Sequence, residues 1–195
     1  MSSYLSVADP QTDNPPRVLA VVGNPRPQSR TAALAIELAT SLAQLLGAGS
    51  PHVIDLAEQT AELGPPLGAG SAPRWAAPLS ALAAADLLIV ATPTYKGSYT
   101  GLLKAFLDHV DGGALHGITA VPVTTVGSPA HTLAADVHLR PLLIELGAST
   151  PTAALVVGNE RLDDPSAAVA QWLQKNSETL RKALIPLRFP SEVTT

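Results

Sequence analysis

Two short stretches of this 195-residue chain carry residue types suited to binding an anion and a flat polar ring. The first, GNPRPQSRT (23–31), follows an apolar run and opens a helical pattern. A helix N-terminus offers unpaired N–H groups and a partial positive charge, which makes it a natural phosphate seat. Ser29 and Thr31 add hydroxyls, and Arg26 and Arg30 add charge. Charge-assisted hydrogen bonds contribute roughly 1.5–3 kcal/mol each, so a few of them anchor a phosphate. The same residues also fit a plainer arrangement, with Ser29 as helix cap and both arginines solvated. The second stretch is TPTYKGSYTG (92–101). Pro93 removes one N–H and stiffens the turn, while Thr94, Tyr95, Lys96 and Gly97 can present main-chain donors to a ring edge. A phenol can stack beside such a ring; alternatively, Tyr95 and Tyr99 are half-buried packing residues and Lys96 a solvated charge.

These loops need elements to hold them. The apolar run RVLAVV (17–22) predicts a strand ahead of the first loop, and residues 30–46 place Leu34, Leu38, Leu42 and Leu45 on one helical face. PHVIDL (51–56) predicts a second strand, and a Pro/Gly-rich stretch at 58–75 reads as a long loop before a short helix over 76–84. The run at 87–91 suits a strand buried on both faces, followed by a helix over 101–110. Strands at 118–126 and 151–157 and helices at 131–146 and 165–184 complete the pattern. Strands alternating with helices imply right-handed crossovers and a parallel sheet. Five of each predict an α/β, flavodoxin-like doubly wound sheet of order 2-1-3-4-5 with helices on both faces. Ligands of such sheets collect at the carboxyl ends of the strands, where both loops would lie.

Composition narrows the function. A hydrophobic content of 46% over this length predicts one domain, placed at 17–185, between a flexible arm at 1–16 and a tail at 186–195. The arm has neither the basic nor the apolar region of a secretory signal, and no apolar run is long enough to predict a membrane span. A net charge of −4 gives no support for nucleic-acid binding, so an anionic ligand must be met by locally placed Arg and Lys. The absence of Cys rules out disulfides and thiolate chemistry and is compatible with a cytoplasmic location. The first loop is neither G-x-G-x-x-G nor G-x-x-x-x-G-K-[ST], so dinucleotide-fingerprint and P-loop readings fail. A receiver-type regulator would need a carboxylate at the end of the third strand, where Thr92 and Pro93 stand. His52, His109 and His116 are too scattered to form a metal ligand set. His131 reads as a capping or packing residue, Asp108 and Asp111 as surface groups, and Asp136–Arg140 as an i,i+4 ion pair of little worth.

Three segments in register carry a family resemblance: GNPRPQSRT, VATPTYKGSYTGLLKAFLD (90–108), and VGSPAH (126–131) with LAADVHLRPLLIELGA (133–148). Over roughly 17–157 the chain resembles the flavodoxin-like NAD(P)H-dependent FMN reductases. It is most similar to the reductase components of two-component alkanesulfonate, methanesulfonate and EDTA monooxygenase systems. The resemblance implies FMN as cofactor and NADPH or NADH as hydride donor, with hydride passing from nicotinamide C4 to flavin N5 and no catalytic side chain required. It implies that Arg26, Ser29, Arg30 and Thr31 surround the FMN phosphate. It further implies that Pro93, Thr94, Tyr95 and Lys96, with Ser98 of the same loop, line the isoalloxazine edge, and that Thr125, Val126, Gly127 and Ser128 close the other side. The chain departs from the family in carrying Val126 in place of the first of a Gly pair, which adds bulk near the ring. It also has Val137, followed by His138, where some relatives carry a Tyr linked to an unusual helical turn. The expected partners are a flavin, a nicotinamide nucleotide, further copies in a homodimer or homotetramer, and a flavin-dependent monooxygenase. The competing readings are an FMN-containing quinone or azo reductase and a flavodoxin-like electron carrier.

Overall fold

The structure, a computed structural model, describes residues 15–58 and 75–184. The expected arm up to residue 14, the loop at 59–74 and the tail lie outside the described residues. Five strands, β1 (Val18–Val22), β2 (His52–Asp55), β3 (Leu87–Pro93), β4 (Thr119–Val126) and β5 (Leu155–Gly158), pair in parallel in the order β2-β1-β3-β4-β5. This is the doubly wound topology that the alternation predicts. Side chains of the strands alternate between two helical layers. Val18, Ala20 and Val22 of β1 pack with α1 (Arg30–Leu46) and α5 (Pro165–Leu184). Leu19 and Val21 face the opposite layer, where α2 (Ala76–Ala83), α3 (Gly101–Leu107) and α4 (Arg140–Glu145) lie. The strand register brings Val22, Asp55, Ala91, Pro93, Thr125, Val126 and Gly158 to one end of the sheet.

Two elements differ from the sequence expectation, for identifiable reasons. The helix expected over 131–146 is broken into a 3-10 turn (Pro129–His131), a π-helical segment (Ala135–Leu139) and α4. The Arg140 N–H donates to Ala135 O, five residues back, and the next residue is Pro141, which has no N–H to continue an α ladder. The unusual turn is thus present with Val137 and His138 in it, and Val137 is exposed.

The last strand begins at Leu155 rather than at 151 because side chains satisfy the backbone ahead of it. Arg140 donates to Thr150 O at 2.8 Å and to Thr152 O at 2.9 Å, the Trp172 indole donates to Ala153 O, and Asn176 Oδ1 accepts from the Ala153 N–H. Arg140 is therefore more than the surface ion pair expected from its spacing to Asp136. Its side chain is only 19% exposed and spans two carbonyls. Replacing Arg140 with Ala leaves both carbonyls without that donor and is expected to cost about 2–3 kcal/mol. In a thermal melt this should lower Tm by roughly 5–10 °C. Arg140→Lys should recover only part of the loss, since one ammonium cannot reproduce the planar fork.

Candidate functional site

The carboxyl end of the sheet opens into a cleft of about 450 Å³ whose lining includes Arg26, Ser29, Arg30, Thr31, Pro93, Thr94, Tyr95, Thr125 and Gly127. All three loops singled out in the sequence thus meet in one place. A second cleft of similar size lies at the opposite end of the sheet. Its lining is mainly apolar (Pro16, Val18, Leu19, Ala81, Ala84 and Ala85) with Ser50, His52 and Arg17, the last already paired with Asp86.

The first loop is braced from below. Asn24 Nδ2 donates to Thr31 Oγ1 at 3.1 Å, Thr31 Oγ1 lies 3.0 Å from Thr125 Oγ1, and Asn24 Oδ1 accepts from the Arg26 N–H. Thr31 is buried, so its hydroxyl belongs to the floor that ties β1 to β4 rather than to the open cleft. Ser29 is the N-cap of α1, its oxygen accepting from the Ala32 N–H at 3.1 Å while its own proton stays available. Capping and anion binding therefore coexist in Ser29. The N–H groups of Arg30 and Thr31, first in α1, have no partner among the described residues and remain open to an anion. The two arginines are unlike. Arg30 donates to Asn159 O at 3.1 Å and lies 3.9 Å from Asp163, whereas the Arg26 guanidinium has no partner among the described residues.

In the second loop, several main-chain donors expected for a ligand are already in use. The Thr94 N–H donates to Thr125 O, and Tyr95 and Ser98 exchange both N–H···O bonds across a turn. Lys96 and Gly97 form that turn with φ of 51° and 82°, the type I′ pattern, and their two N–H groups have no partner among the described residues. Lys96 and Ser98 are not among the lining residues, whereas Tyr95 is, with 44% of its surface exposed. Thr94 Oγ1 is buried beside the cleft without a hydrogen-bond partner among the described residues, an orphan that a ligand can satisfy. Among the described residues, Gln28 (φ 52°) and Lys96 are the non-Gly ones with positive φ, and both sit in loops bounding the cleft. Such strain concentrates where a loop must hold an unusual shape for a ligand.

The third loop contributes less than expected. Gly127 lines the cleft, but Val126 is buried as the last residue of β4, so its bulk does not enter the cleft. Ser128 caps the following 3-10 turn, accepting from the Ala130 N–H, and likewise stands outside the lining. Two further residues, Asn159 and Leu162, line the cleft from the turn after β5. No sequence signal marked them, because only the fold brings that turn beside α1.

Asp55, ending β2, is the acidic residue held against this machinery. Burial pushes its carboxyl above the usual range; N–H groups of Ala57 and Gln28 oppose that, and the Glu58 charge adds to it. A carboxyl raised in the folded state favours folding while protonated, and that contribution is lost as pH rises through the raised value. Asp55→Asn keeps the acceptor for Ala57 without the charge. It is expected to raise Tm near neutral pH and to flatten the fall in Tm from acidic to neutral pH. An unchanged pH dependence of Tm would overturn the assignment.

The geometry fits a phosphorylated flat ligand: N–H groups and a guanidinium without partners among the described residues, with Ser29, at one end, and the exposed Tyr95 beside the orphaned Thr94 hydroxyl at the other. Known proteins agree. Residues 16–162 match the family described as NADPH-dependent FMN reductase. The chain is 41% identical over 130 residues to an FMN reductase (NADPH) of Pseudomonas aeruginosa, covering 66% of this chain and 69% of that one. It is 37% identical over 153 residues to the NADH-dependent FMN reductase SfnF of Pseudomonas putida, covering 75% of this chain and 80% of the relative. Among solved structures, the apo form of the NADH:FMN oxidoreductase EmoB superposes with a TM-score of 0.63 at 33% identity, covering 80% of this chain and 88% of that one. The chain belongs to the NADPH-dependent FMN reductase family.

Proposed function

We propose that this chain is an NAD(P)H-dependent FMN reductase, with the flavin phosphate seated on the N-terminus of α1 and the ring lying toward Tyr95. The observation that carries this reading is the cleft itself, which joins the N–H groups of Arg30 and Thr31, without partners among the described residues, to Tyr95 and the orphaned Thr94 hydroxyl. When bound, FMN supplies the hydride-accepting chemistry. The chain binds and orients: Ser29 and Arg26 hold the charged end, and Tyr95, with the orphaned Thr94 hydroxyl, meets the ring end. No acid, base or nucleophile is needed among the side chains.

Reduced FMN then leaves for a flavin-dependent monooxygenase, as the three-motif resemblance implies. The active form is a homodimer or homotetramer in a cytoplasmic setting. Among the described residues no helix is long and apolar enough to cross a membrane. The deciding experiment pairs NADH or NADPH with FMN, FAD and riboflavin, and with a quinone as a rival acceptor. Oxidation of the nicotinamide fastest with free FMN is expected. Absence of both flavin binding and flavin-dependent oxidation overturns the reading, and preference for the quinone favours the quinone-reductase alternative.

A further inference from the structure

The turn after β5 has no place in the three-loop description of this site, yet it forms part of the wall. Asn159 and Leu162 line the cleft, and Leu162 is buried in the core beneath α1 and α5, which fixes the turn in place. The Asn159 carbonyl accepts from the Arg30 guanidinium, so the turn is fastened directly to the first residue of α1. The Asn159 carboxamide lies over Gly127: a Cβ built at Gly127 would stand 3.4 Å from Asn159 Nδ2. That amide is exposed and makes no side-chain hydrogen bond of its own within the described residues.

The topology says which end of the ligand this amide meets. α1 and α5 cover one face of the sheet, and α3, which follows the Tyr95 loop, covers the other. Asn159 stands on the α1 side, fastened to Arg30, whereas the ring-facing turn departs toward α3. Resting on the FMN reading above, we infer that Asn159 is a specificity-determining residue whose side-chain N–H donates to the flavin phosphate, making the β5 turn a fourth binding loop. Its carboxamide adds a neutral donor to a seat otherwise made of backbone N–H groups, Ser29 and Arg26. The consequence is selectivity for FMN over riboflavin, which lacks the phosphate.

The test is the Kd of FMN and of riboflavin, read by flavin fluorescence quenching on the full chain. Asn159→Ala retains the carbonyl that holds Arg30, so the fold and the loop clasp should persist. FMN affinity should fall about tenfold, the size expected for one hydrogen bond to an ionised group, with riboflavin changed by less than about twofold. Asn159→Asp, which preserves shape but places a carboxylate against the phosphate, should weaken FMN further and still spare riboflavin. Arg161→Ala is the control, because that side chain is turned to Gln171, away from the cleft. Unchanged FMN affinity in Asn159→Ala, or an equal loss for both flavins, overturns the assignment to the phosphate. A wild-type protein that binds neither flavin overturns the FMN reading itself, and this inference with it.

Discussion

Gly23→Ala should lower stability by about 3 kcal/mol, a fall in Tm of roughly 10 °C, and should weaken flavin binding at the same time. Gly23 follows β1 and opens the first loop, and its N–H donates to Ala91 O of β3 at 2.7 Å. Its carbonyl accepts from the Thr100 hydroxyl, and that oxygen in turn caps α3 by accepting from the Leu103 N–H. The α3 helix is consequently drawn onto the end of β1, so closely that a Cβ on Gly23 would lie 2.5 Å from Leu103 Cβ. Neither partner can yield easily. Leu103 is fully buried, and Gly23 is held from both sides by backbone hydrogen bonds. The added methyl must push α3 away from the sheet; the second loop joins β3 to α3, and the first loop starts at Gly23 itself, so both are disturbed. Thermal melts and FMN titration of Gly23→Ala, of Leu103→Gly, which removes the opposing Cβ itself, and of the double variant provide the check. Relief of the clash predicts a double variant markedly more stable than the sum of the two single losses. Simple additivity would show that the two positions do not press on each other.

How far the sequence reveals this site depends on which interactions make it. The strands and α1 are legible because burial imposes a repeat: Leu34, Leu38 and Leu42 can only face a core. The two main loops are legible because they sit between such elements and carry Gly, Pro and hydroxyl residues. Which atoms of those loops remain free is a different matter, decided by partners distant in sequence. Thr94 loses its N–H to Thr125, Thr31 sinks against Thr125, and Arg30 is drawn to Asn159. The first pairing depends on the register of β3 on β4 and the other two on how α1 packs over the ends of β4 and β5, which local patterning does not encode. The break at 135–139 has a local cause, Pro141, which the apolar periodicity of the surrounding helix conceals. Arg140 likewise resembles one half of an i,i+4 pair until the turn before β5 comes beneath it.

The cleft therefore separates charge from shape, and Arg26 holds the mobile share of the charge. Arg26→Ala is expected to weaken FMN binding by roughly 10- to 100-fold, the equivalent of about 1.4–2.8 kcal/mol. Arg30→Ala should cost distinctly less. The reason is that a guanidinium already hydrogen-bonded to Asn159 O and near Asp163 must share its donors, whereas Arg26 has no competing carboxylate or carbonyl among the described residues. Riboflavin should bind both variants about as well as wild type, because it offers no phosphate for either arginine. Turnover at saturating FMN should also persist, since Tyr95 and the turn it opens depart on the other side of the sheet from α1. The loss thus appears in kcat/KM for FMN with kcat retained, as expected for an interaction made equally before and during the reaction. Raising ionic strength should narrow the gap between wild type and Arg26→Ala, because an exposed cation is screened. A larger loss from Arg30 than from Arg26, or equal losses for riboflavin and FMN, would remove Arg26 from the phosphate seat and place the charge recognition on the clasped arginine instead.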